Sequence, residues 1–178
     1  MERRTSVRSF AREPIDGRII DQVIRSARVQ HQSMWGTEGR RGGIGVHVAA
    51  YQVEGSAPGL YRLSDDGWST RRSVQSVPPE LLADLAARYA DSPALLFICG
   101  ERDGRGPGPS VSQYSELLVR CGSLGYSLWL EAVRLGLSGS VHGVTSPEVG
   151  DALRTEDKHV SHLFTLAIGL PTASTGTS

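Results

Sequence analysis

Cysteine is scarce, with Cys99 and Cys121 the only two in 178 residues. Two thiols make no disulfide framework, and no CxxC pair offers the spacing of a structural zinc site. Each reads as a small buried apolar residue. Surplus charge is missing too: Lys and Arg number 19, Asp and Glu number 19, and the net charge is zero. Binding to a phosphate backbone or an anionic membrane draws on a basic surplus, so neither nucleic acid nor membrane is expected as a partner. No apolar run approaches the roughly 20 residues of a membrane-spanning helix. The opening MERRTSVRSFAREP is polar where a secretory signal has an apolar stretch, so a cytoplasmic protein is expected. Internal repeats, a GxSxG element and a P-loop ending are absent. His31, His47, His159 and His162 show no spacing typical of metal ligands.

The length suits one domain with a sizeable core. That domain is expected over residues 1–171, followed by a small polar tail, TASTGTS, over 172–178. GTEGRRGG at 36–43 and GRGPGP at 104–109 read as loops. Four helices are expected. The first is capped by Asp16, with Ile19, Ile20, Val23, Ile24 and Ala27 on one face. The second opens with Pro78 and Pro79 and continues through Leu81, Leu82, Leu85, Ala86 and Tyr89. The third and longest spans about 112–135, buries Leu117, Leu118, Cys121, Leu124, Leu128, Ala132 and Leu135, and stops at Gly136. The fourth has Ser146 as cap and Pro147 in its first turn, with Val149, Ala152 and Leu153 inward. Strands are expected at 45–53, 60–63, 94–100, 138–141 and 163–168. ALLFICG at 94–100 has the continuous apolar character of a strand covered on both faces. The order fits an α+β sheet packed against a long central helix.

Three constellations could carry chemistry. In RRTSVRSF, alternate residues of an extended segment place Arg4, Ser6 and Arg8 on one face. Two guanidinium forks beside a hydroxyl suit a phosphate, and a solvated arm is the plainer alternative. In GLSGSVHGVTSPEV, a glycine-containing strand exit leads into a capped helix. Gly143 would admit a ligand close to the backbone, with its N–H as donor, and His142 could carry a proton near neutral pH. The plainer alternative there is an ordinary strand-to-helix loop. At the start of the long helix stand Tyr114, Glu116 and Arg120, the last two spaced for a helical ion pair.

Taken together, these segments resemble the FMN-dependent nitroreductases. RRTSVRSFAREPIDGRIIDQVIRSA is similar to the Arg-x-Ser-x-Arg/Lys-x-Phe opening of that family and its first helix. VEGSAPGLYRLSDDG resembles a hairpin of the SagB-type azoline (thiazoline/oxazoline) dehydrogenases, which carry PGLYxYDP there. CGSLGYSLWLEAVRLGLSGSVHGVTSPEVGDAL resembles the central helix, its Ala-x-x-x-Gly-Leu ending and the flavin-side loop, and LFTLAIGLP resembles the closing strand and its Gly-x-Pro turn.

The resemblance implies a mixed, mainly antiparallel sheet flanked by helices, an intertwined homodimer, and FMN at the dimer interface. It implies phosphate contacts from Arg4, Ser6 and Arg8 with Thr5 beside them, and backbone contacts to the flavin ring from His142 and Gly143. Gly39 and Arg41 stand where the azoline branch has a Ser-Ala-Gly loop, and Tyr114 matches a tyrosine near the start of the central helix. His142 and Tyr114 are the candidate catalytic proton carriers. Some positions depart from the family pattern. Leu170 replaces a clamping Arg or Lys, Tyr126-Ser127 replaces Gln-Asn, Glu38 adds a negative charge, and the azoline branch's Lys-Tyr pair is not evident. The implied activity is oxidation of an azoline in a modified peptide or related natural-product intermediate, beside a biosynthetic partner protein. The alternatives are reduction of nitro, quinone or dehydroamino-acid groups, and a flavin-poor, non-catalytic subunit or peptide-binding module.

Overall fold

The computed structural model describes residues 6–7, 9–36, 43–64, 67–74, 77–101, 110–154 and 160–172. Helix α1 (Gly17–Trp35) begins where Asp16 accepts the Arg18 amide, and it buries Ile20, Val23, Ile24 and Ala27. Strands β1 (Ile44–Ala50), β2 (Gly59–Ser64) and β3 (Gly67–Ser73) follow, then α2 (Pro79–Arg88) and β4 (Ala94–Glu101). The long α3 (Val111–Arg134), β5 (Ser138–His142), α4 (Pro147–Arg154) and β6 (Val160–Gly169) complete the chain order.

The six strands form one sheet in the order β3-β2-β1-β4-β6-β5. Every ladder is antiparallel. Among the described residues, parallel pairing, expected as the minor component of a mixed sheet, is confined to the bridges Ser6–Gly139 and Ile15–Val53. Strand β3 was not among the expected strands.

Two cores result from the strand alternation. On one face, Val46, Val48, Leu96, Ile98, Leu166 and Ile168 meet α1 and α3. On the other, Ala49, Leu95, Phe97, Cys99 and Ala167 meet Leu81 and Leu85 of α2, Tyr89 at its C-terminal cap, and Val149, Ala152 and Leu153 of α4. This is why 94–100 is apolar throughout: alternate side chains serve opposite cores.

Helix α3 starts slightly earlier than its apolar stripe suggests. Ser110 and Gln113 exchange side-chain and backbone hydrogen bonds in a capping box. Gly136, at φ 82°, ends it as expected. Trp129, outside the expected inward stripe of this helix, also turns inward and is only 6% exposed. It lies so close to Gly139 that a Cβ there would sit 2.9 Å from its ring. The Glu116–Arg120 ion pair does not form. Glu116 is exposed, while Arg120 is buried with its Nε unpartnered. Both cysteines are buried free thiols, and burial pushes Cys121 up to about 12.

Candidate functional site

The expected site residues fall in two groups. Arg4, Thr5, Arg8, Gly39 and Arg41 lie outside the described residues. Ser6, Tyr114, His142 and Gly143 lie within them, and the sheet relates three of these directly. Ser6 bridges to Gly139, and the Val7 amide donates to the Gly139 carbonyl at 3.2 Å. His142 ends the same strand, β5, an outer strand of the six-stranded sheet, and Gly143 follows it directly.

Ser6 and Val7 dock against β5, and Phe10 and Ala11 dock at the end of β6. The Ala11 amide donates to the Leu170 carbonyl at 2.9 Å, and Phe10 bridges to Pro171 and covers Gly169. A Cβ on Gly169 would lie 2.7 Å from the Phe10 ring, so the glycine is what lets the arm close down. The side chain of Leu170 packs against the core beneath α1 and α3.

At the other end, Gly143, Val144 and Thr145 are exposed and lead to α4. Nothing lies within 4 Å of where a Gly143 Cβ would be. Space beside this backbone is therefore open for a ligand or a partner surface. Ser146 fixes the loop's end by capping α4: its hydroxyl accepts the Val149 amide at 3.2 Å and donates to Glu148 at 2.6 Å. The neighbouring hydroxyl and the Arg88 ion pair hold Glu148 below its usual carboxylate value.

Behind the loop, on the α2/α4 face, lies a group of rings that sequence reasoning did not single out as a site. Tyr89 meets His142 edge-on with centroids 5.6 Å apart, and His162 lies 5.2 Å from Phe97 and 6.2 Å from Tyr89. The His142 ring is thus turned toward Tyr89, with its Nε2 shielded from solvent. Burial lowers His162 to about 4, so the ring is neutral near pH 7.

On the opposite face an apolar cavity of about 220 Å³ opens between α3 and the sheet. Gly122, Gly125, Tyr126 and Trp129 form its helical wall, and Val141, Phe164 and Leu166 lie among its strand residues. Tyr126 and Val141 are 49% and 39% exposed. With Val119 and Leu130, Tyr126 makes an outward apolar stripe on α3, spaced seven and four residues apart. Tyr114 sits in the first turn of α3, 45% exposed. Eight residues of helical rise, about 12 Å, separate it from Gly122 at the cavity.

Solved structures share this architecture. A chain of the E. coli microcin synthetase McbBCD complex, with truncated pro-MccB17 bound, is 19% identical with a TM-score of 0.74, covering 97% of this chain and 70% of that one. A candidate nitroreductase from Anabaena variabilis is 19% identical with a TM-score of 0.65, covering 95% of this chain and 37% of that one. A candidate nitroreductase from Ralstonia eutropha is 16% identical with a TM-score of 0.64, covering 96% and 80%. At such identities the likeness establishes the fold: this chain has the nitroreductase-like α+β fold. No protein-family profile and no curated protein sequence matches it. Among the described residues, no helix is long and apolar enough to cross a membrane.

Proposed function

We propose that the chain is an FMN-dependent oxidoreductase of the azoline-dehydrogenase type, working as a homodimer on a modified peptide. The observation that carries this reading is the rim of the sheet. Strand β5 aligns the Ser6 segment with one of its ends and the open His142–Gly143 backbone with the other. The four steps from Gly139 to Gly143 span about 13 Å of strand. That suits a cofactor with its phosphate and its redox ring at opposite ends. The peptide-bound synthetase among the similar structures supports a peptide substrate and a biosynthetic partner.

The described residues fit such a group at two points, the Ser6 hydroxyl and the uncrowded Gly143 backbone. Arg4 and Arg8, with Thr5 beside them, would complete the phosphate contacts, and Gly39 and Arg41 would approach the ring. Bound FMN supplies a hydride acceptor, turning a thiazoline or oxazoline into its aromatic counterpart when a proton also leaves. This chain's part is to orient and to take that proton. The Gly143 N–H is the donor that would face developing charge on the ring. Of the two candidate proton carriers, Tyr114 is the more open to solvent, since the Nε2 of His142 is shielded. The outward stripe of Val119, Tyr126 and Leu130 supports a dimer interface on α3.

A second reading, a flavin-poor subunit that holds the peptide beside an active partner, is favoured by Leu170. Its apolar side chain is partly buried against the core, so the position offers no cation to a phosphate. Gly143→Val separates the two readings. The open space at Gly143 lets the variant fold, with an unchanged circular dichroism spectrum. The enzyme reading expects FMN binding or reduction to fall by at least about tenfold, the equivalent of one lost contact of 1.4 kcal/mol. A variant that keeps both its flavin and its reduction rate contradicts that reading.

A further inference from the structure

We propose that Tyr89 and His162 form a clamp that positions the backbone of residues 142–146. The inference rests on the flavin reading of that loop and adds what holds it in place.

The clamp begins with an irregularity in β6. Facing β4, Phe97 pairs with Thr165 and Ile98 with Phe164, but Cys99 pairs with His162. One extra residue, Leu163, therefore sits in β6. In a regular strand, residues three apart point to opposite faces. The bulge cancels that alternation and brings His162 and Thr165 to the same face, the one carrying Phe97 and Cys99. The His162 Nε2 then lies 2.9 Å from the Thr165 hydroxyl and 3.0 Å from the Phe164 carbonyl.

These contacts set the ring's tautomer. The Ser146 amide, 3.1 Å away, can only donate, so Nδ1 is the unprotonated nitrogen. Nε2 carries the proton and donates to the Phe164 carbonyl. A ring held neutral by burial keeps Nδ1 available across the physiological range. Tyr89 acts from the C-terminal cap of α2: its hydroxyl donates to the Val144 carbonyl at 3.0 Å, and its ring edge meets His142. The loop is thereby tied at its carbonyl side by one element and at its amide side by another, immediately after Gly143. Each tie corresponds to about tenfold in an equilibrium.

The test uses Tyr89→Phe, His162→Leu and His162→Asn in the full chain. Tyr89→Phe keeps the ring and removes the donated bond. His162→Leu removes the acceptor, and His162→Asn restores an amide oxygen near the Nδ1 position. Three quantities are measured: hydrogen exchange of the Val144–Ser146 amides, FMN affinity and the thermal midpoint. The clamp predicts about tenfold faster exchange in this loop and about tenfold weaker FMN binding for Tyr89→Phe and His162→Leu. His162→Asn should recover most of both, and the Tyr89→Phe midpoint should move by only a few degrees. Exchange that stays within twofold of wild type in Tyr89→Phe overturns the clamp, whether or not His162→Leu folds. Faster exchange with unchanged FMN affinity overturns its positioning role. Wild-type protein that ignores FMN sinks the flavin reading instead, and exchange in the same variants still decides whether the clamp exists.

Discussion

His162 shows how one buried side chain makes the fold sensitive to acid. Its folded value is about 4 against an ordinary 6.5, because burial disfavours the charged ring. The unfolded chain therefore binds the extra proton first as pH falls. The penalty is absent above pH 6.5, grows between 6.5 and about 4, and levels off below, reaching on the order of 3 kcal/mol. Urea unfolding at pH 7 and 4.5 should show wild type losing more stability than His162→Asn, which cannot titrate. Equal losses would mean that His162 meets the same environment folded and unfolded. At this scale the sequence revealed its caps and its glycines more readily than its buried polar groups. Asp16 and Ser146 announce themselves through the residues that follow them. His162 carries no local mark, because its place depends on a bulge and on Tyr89, 73 positions away in the chain. Arg120 misled for a related reason. Its spacing from Glu116 satisfies the helical pairing rule, but the Arg120 side chain is buried while Glu116 is exposed, so the two do not share a surface.

Among the elements, α3 is the one whose two faces have different work. Its inner stripe of Cys121, Leu124 and Leu128 lies in the core, and its glycines at 122 and 125 leave the cavity beneath it. Its outer stripe exposes Val119 at 59%, Tyr126 at 49% and Leu130 at 39%. If this stripe is the dimer interface, light scattering of wild type should report twice the chain mass at micromolar concentration. Val119→Glu with Leu130→Glu should then yield a folded monomer, because paired buried charges of like sign are costly at an interface. A wild-type monomer, or a double variant that remains dimeric, would remove α3 from that role. The helix itself was readable from its 3.6-residue period. The edge strand β3 was not, since in GWSTRRS only Gly67 and Trp68 are buried. The Asp66-Gly67 dipeptide after Leu60–Leu63 is a hairpin signal and the cue that could have placed it.

For the whole molecule, a sheet packed against a long central helix was legible in the apolar patterning of the elements, while its mainly antiparallel pairing and flanking helices were implied by the family resemblance. The direction of the arm before α1 was not, since its docking depends on the absence of a side chain at Gly169. That docking matters because it brings Ser6 to the rim that leads to Gly143. The central claim is that this rim holds FMN. It is tested most directly by titrating FMN into wild-type protein and into the Arg4→Ala/Arg8→Ala double variant, following flavin fluorescence. The account predicts saturable binding at one FMN per chain in wild type. In the double variant it predicts a loss of about a hundredfold, the equivalent of two charge-assisted contacts of about 1.5 kcal/mol each. Wild-type protein that leaves FMN fluorescence unchanged, or a double variant within twofold of wild type, would contradict it.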